Sequence, residues 1–152
     1  MTTSLKQRLH DDLTAAIKGR DELRSATIRL TLSAITKEEV AGTTARQLSE
    51  DEVLKVIGRE AKKRREAAEA FAQGGRTESA ERERAEGEVL AEYLPKQLTD
   101  EELAQLVRSA IEESGAAGPR AMGAVMKAVN PKVAGLAEGG RVAAEVKRQL
   151  AG

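Results

Sequence analysis

Apolar residues recur every three to four positions along nearly the whole chain, and the recurrences break at glycine, proline and capping residues. Ser4 and Gln7 form a capping-box pattern over Leu5, Leu9, Leu13 and Ile17, which predicts a first helix up to Gly19. Asp21 starts a second, with Ile28, Leu32 and Ile35 on one side, broadened by Leu23, Leu30 and Ala34, up to Gly42. After a loop from Thr43 to Leu48, Ser49 and Glu52 cap a third helix through Val53, Ile57, Ala61, Ala68 and Phe71, which Gly74-Gly75 ends. The short glycine turn makes a fourth helix, Arg76 to Leu94, the antiparallel neighbour of the third. Thr99 and Glu102 open a fifth helix through Leu103, Leu106, Val107, Ala110 and Ile111 to Gly115. A short helix with Met122, Val125, Met126 and Val129 is expected to stop at Asn130-Pro131, because proline has no amide hydrogen and restricts the residue before it. Gly123 in that helix reads as a point of close helix contact. Beyond a Gly135 to Gly140 loop, Val142, Val146 and Leu150 line a last helix. The expected fold is all-α, a four-helix N-terminal part over 1–95 followed by a small three-helix bundle over 96–152.

The joint falls in Glu92-Tyr93-Leu94-Pro95-Lys96-Gln97-Leu98-Thr99, which holds the end of one helix, a hinge and the start of another. Tyr93 is the only tyrosine and Phe71 the only phenylalanine, and there is no tryptophan. Both aromatics read as core, Tyr93 with a polar tip that needs a hydrogen-bond partner.

On the third and fourth helices Glu60 and Arg64, then Arg82 and Glu86, share the apolar faces. Counting back from the glycine turn brings Arg64 level with Glu86, so an interhelical network of these four charges is one reading; two solvated i,i+4 pairs are the other.

Composition narrows the chemistry. A third of the residues are charged and cysteine is absent, which removes disulfides, thiolate metal sites and cysteine nucleophiles. The one histidine, His10, stands beside Leu9 and Asp11 and reads as a surface residue; no serine has a histidine partner in context and no Gly-x-x-x-x-Gly-Lys loop is present. No catalytic residue, cofactor or metal is expected. No apolar run approaches the roughly 20 residues of a membrane span, and the expected location is cytoplasmic. Basic and acidic residues balance at 25 each, so affinity for a polyanion has to come from a local patch. Two patches qualify. One is Arg120, Lys127, Lys132, Arg141, Lys147 and Arg148 near the C-terminus, with Glu138 and Glu145 among them, for which a solvated helical surface is an equal reading. The other is Arg59, Lys62, Lys63, Arg64 and Arg65 on the third helix, interleaved with Glu60, Glu66 and Glu69 and better read as a solvated surface of local ion pairs.

The run from Glu66 to Leu98, with Phe71, Gly75-Arg76, Glu83, Glu86, Val89-Leu90, Tyr93-Leu94-Pro95 and Gln97-Leu98, resembles the bacterial YqeY family. So do Met122-Gly123-x-Val125-Met126, Pro131-Lys132-Val133-x-Gly135, the Gly139 turn and Val142 to Leu150. That family is similar to the C-terminal tail of the B subunit of glutamine-dependent aspartyl/glutamyl-tRNA amidotransferase, a helical appendage that contacts tRNA while the amide chemistry lies in a separate domain. The resemblance implies a freestanding module that binds tRNA or a tRNA-dependent amidotransferase complex, with the six C-terminal cations as the contact residues. It also departs from the pattern: Ala124, Ala134 and Leu136 stand where basic residues are more usual, and Lys127 where a small one is. With both aromatics in the core, backbone and shape recognition of a folded RNA is expected rather than base reading. The alternatives are a protein-interaction adaptor docking through Met122, Val125 and Met126, and an amidotransferase-like activity with glutamine as donor, known by family analogy alone.

Overall fold

The computed structural model describes residues 3–115 and 117–151, and among these there are seven α-helices and no strand. They are α1 (Leu5–Lys18), α2 (Glu22–Glu39), α3 (Glu50–Gln73), α4 (Thr77–Ala91), α5 (Asp100–Ser114), α6 (Met122–Val133) and α7 (Gly139–Ala151), with a 3-10 turn, Pro119–Ala121, before α6. The chain divides into two compact units, Met1–Leu94 and Pro95–Gly152, each with its own apolar core.

In the first unit, Leu9, Ile28, Ile35, Val53, Ile57 and Leu90 are fully enclosed. The caps act largely as their residue types dictate. The Ser49 hydroxyl accepts from the Glu52 amide while the Glu52 carboxylate accepts from the Ser49 amide, closing a reciprocal box. At Ser4 half the box forms: its hydroxyl accepts from the Gln7 amide, but the Gln7 side chain donates to Asp11 instead of returning.

Several expectations change. Leu30 does not broaden the buried face of α2; it is 47% exposed, and Ser25, Thr27 and Thr31 are buried in its stead. Their hydroxyls donate to the carbonyls of Asp21, Leu23 and Thr27 one turn back, which satisfies the hydroxyl donor inside the helix and lets a short polar side chain behave as an apolar one. Phe71 is half-buried rather than core, lying two residues from the open end of α3. α4 ends at Ala91, three residues early, and the Tyr93 amide donates to Leu90 in a tighter final turn that carries Tyr93 inward to 4% exposure.

The second unit is built on Leu103, Val107 and Ala110 of α5, Val125, Val129 and Val133 of α6, and Val142 and Val146 of α7. Thr99 and Glu102 close a second reciprocal box. Gly115 ends α5 at φ 65°, in the left-handed region open to glycine. Asn130-Pro131 does not stop α6, which runs on to Val133. Pro131 lies in the last turn, where the one amide bond it forgoes is offset by burying Val133 to 3% exposure. Gly123 is not a point of close contact: a side-chain carbon built there meets nothing within 4 Å.

Candidate nucleic-acid interface

The second unit segregates its charges by element. α5 carries Asp100, Glu101, Glu102, Glu112 and Glu113 against Arg108, whereas from Ala117 to Ala151 the six cations Arg120, Lys127, Lys132, Arg141, Lys147 and Arg148 face only Glu138 and Glu145. α6 has no acidic residue at all. Its core positions are Val125, Val129 and Val133, so Lys127, two residues past Val125, projects from the far side of the helix.

The six cations do not form one set. The Arg141 guanidinium donates to the Leu98 carbonyl and to Asp100 at 2.9 Å each, pinning the start of α7 to the segment that opens α5. Arg148 grips Glu145 on its own helix, and that hydrogen bond holds the Glu145 carboxyl below the usual carboxylate range. Lys132 reaches Glu113 of α5 at 3.4 Å. Arg120, Lys127 and Lys147 are exposed and make no ion pair among the described residues. Arg141 therefore has a structural task, while these three have their charge available. Spacing along the sequence could not separate the two classes, because the partners of Arg141 lie about forty residues away.

The basic cluster of α3 is occupied. Arg59 pairs with Glu38, Lys62 with Glu66, Lys63 with Glu60, and Arg64 with Glu83 and Glu86 across the hairpin at 3.4 and 3.6 Å. Arg82 links Glu86 (3.2 Å) to Glu22 of α2 (3.1 Å). The four-charge network is thus corrected at one corner and extended at two: Glu60, 6% exposed, pairs with Lys63, while Glu83 and Glu22 join. Glu83 Oε2 and Arg64 Nε are buried without a hydrogen bond among the described residues. Burial raises the Glu83 carboxyl above its ordinary value, and the neighbouring Glu86 adds to that against the pull of Arg64.

At the end of α4, the Tyr93 hydroxyl donates to the Asp12 carboxylate of α1, and the Arg8 guanidinium lies over the ring, 4.6 Å from its centre. Arg8 also donates to the Glu92 carbonyl, and Arg24 of α2 pairs with the Glu92 carboxylate at 2.6 Å. Desolvation pushes the Tyr93 phenol well above its usual range, reinforced by the bond to Asp12. A shallow groove runs here beside Asp12, Gly19, Arg24 and Tyr93. Its charged groups are engaged with one another, so Tyr93, bonded to α1, and Glu92, bonded to α2, together form a clasp at the end of α4.

Of the three residues suggested as an adaptor surface, Val125 is fully buried, and Met122 and Met126 pack against the core of their own unit while keeping part of their surface exposed. Among the described residues no group of three His, Asp or Glu side chains is placed to hold a metal ion, and no helix is long and apolar enough to cross a membrane.

The model of the family described as Yqey-like protein matches residues 6–150. A Clavispora lusitaniae protein named "Altered inheritance of mitochondria protein 41, mitochondrial" is 30% identical over 134 residues, covering 86% of this chain and 77% of the relative. With a match that spans both helical units, the chain belongs to the YqeY family.

Proposed function

We propose that this YqeY-family chain is a module that contacts a folded RNA of tRNA type through phosphate and shape contacts. The contact surface is the 3-10 turn Pro119–Ala121 with α6 and α7. The observation that supports the reading most is the charge segregation of the second unit: an acid-free α6 bearing Lys127, with Arg120 before it and Lys147 on α7, three cations without an ion pair among the described residues. Free cations on a helical surface bind phosphate by releasing condensed counterions, which needs neither a pocket nor an aromatic platform. The resemblance to the amidotransferase tail supplies the RNA class, and a tRNA-dependent amidotransferase complex in the cytoplasm is the setting it suggests. Arg141 and Arg148 drop out of the contact set because each is held by a carboxylate.

The test is a salt titration of purified protein with total tRNA and with an RNA duplex of equal length. Selective tRNA binding is expected, with Lys127→Ala and Lys147→Ala each flattening the log-log salt slope by about 0.7–0.9 if each side chain neutralises one phosphate. Absence of binding at low salt, or slopes untouched by both changes, overturns the reading.

A further inference from the structure

Between α1 and α2 lies an open groove of about 570 Å³ lined by Leu13, Arg29, Leu32, Ser33, Thr36 and Lys37. Leu13 and Leu32 supply its floor, both resting on the core of the first unit. Ile17 stands one turn beyond Leu13 on the same face of α1 and is 48% exposed, which prolongs the apolar strip into solvent.

The charges around this groove are sorted. Every acid of α1 and of the end of α2 is committed elsewhere: Asp11 to Gln7, Asp12 to Tyr93, Glu38 to Arg59, and Glu39 to Lys6 and the Leu48 amide. Arg29 and Lys37 on the rim are exposed and have no ion pair among the described residues. No acidic residue lines the groove.

We propose that this groove docks an acidic amphipathic helix of a partner protein. An apolar floor between two helices favours a third helix, whose apolar stripe fills the seam and whose flanking carboxylates meet the rim. The eight-residue spacing of Arg29 and Lys37 is about 12 Å along α2, which two carboxylates seven or eight residues apart on the partner helix match. α1 is about 21 Å long, enough for an occupant of roughly 14 residues. A nucleic acid gains nothing from Leu13, Leu32 and Ile17, which is why the occupant is a helix and not a phosphate backbone. The surface lies in the first unit and does not depend on the RNA reading of the second.

The probe is a capped amphipathic peptide of roughly 14 residues with leucine on one face and glutamate flanking it, titrated into isotopically labelled full-length protein and followed by amide chemical shifts. A twin peptide with lysine in place of glutamate is the control. Shifts centred on Leu13, Arg29, Ser33, Thr36 and Lys37 are expected for the acidic peptide alone. The doubly reversed Arg29→Glu/Lys37→Glu protein, whose changes are confined to exposed side chains, is expected to lose about tenfold or more in affinity for it and to gain affinity for the lysine twin. Ile17→Ser is expected to weaken both pairings. The proposal is overturned if the acidic peptide leaves these amides unmoved, or if charge reversal leaves its affinity unchanged. It is overturned equally if the same amides shift with protein concentration in the absence of peptide, which makes a second copy the occupant, or if tRNA moves them and Arg29→Glu/Lys37→Glu abolishes tRNA binding.

Discussion

Single positions show where local chemistry and packing part company. Gly58 sits in the middle of α3, and a side-chain carbon built on it meets nothing within 4 Å. Glycine there costs backbone entropy without serving a close approach. Gly58→Ala is therefore expected to stabilise the protein by about 0.5–1 kcal/mol, read as a rise in the thermal midpoint by far-ultraviolet circular dichroism. The same logic corrects the reading of Gly123, whose neighbours in sequence suggested contact but whose surroundings are open. Ser25, Thr27 and Thr31 were illegible for the opposite reason. A polarity pattern scores a hydroxyl as a surface group, yet an i−4 carbonyl satisfies it inside the helix, and Leu30 is turned outward as a result. Lys127 and Lys147 could be named from sequence, but separating them from Arg141 required the long-range partners that only the fold supplies.

At the scale of elements, the α3–α4 hairpin is the clearest case of charge used inside a helical seam. Beyond the enclosed residues of the first core, the two helices pack through Ala68 and Ala80 with Arg64, Glu83 and Glu86 between those levels. Spacing back from Gly74-Gly75 located the Arg64–Glu86 pair, because helical rise is fixed and the turn is short. Glu60 escaped that logic, since its carboxylate pairs with Lys63 three residues along the same helix. Arg64→Ala takes the cation from Glu83, which already has a buried oxygen without a hydrogen bond, and leaves the buried Glu86 with Arg82 alone. A loss of about 1–3 kcal/mol is expected in urea denaturation, the cost of leaving a buried acceptor without its cation. An unchanged urea midpoint means the seam opens to water when the guanidinium leaves. Capping boxes were the most legible element boundaries, and helix ends set by tertiary burial the least. α6 crosses a proline to bury Val133, and α4 stops early to turn Tyr93 inward.

Over the whole molecule, acid has a net sign. Glu39, Glu52, Glu92, Glu102 and Glu145 all titrate below the ordinary 4.5 through hydrogen bonds from Lys6, Arg46, Arg24, the Thr99 amide and Arg148 respectively, with Glu52 held down to about 2. For each, the unfolded chain binds the proton more readily, so the stability it contributes is complete above the unfolded value and is lost as pH falls through the folded one. Glu83 runs the other way. Its folded value is raised, so its contribution is largest in acid and declines as pH rises through that value. Five groups against one predict a urea midpoint that is flat near neutrality and falls between about pH 5 and pH 2. The two cores, one in each unit, need not respond together. The clasp at Tyr93 turns this into something that can be watched. The chain has one tyrosine and no tryptophan, and a carboxylate that accepts a phenol's hydrogen bond can take its proton in the excited state, so weak emission is expected from Tyr93 while Asp12 holds it. Tyrosine emission is expected to brighten on unfolding and to report the first unit alone, leaving circular dichroism to report both; the gap between the two signals measures how far the units melt apart.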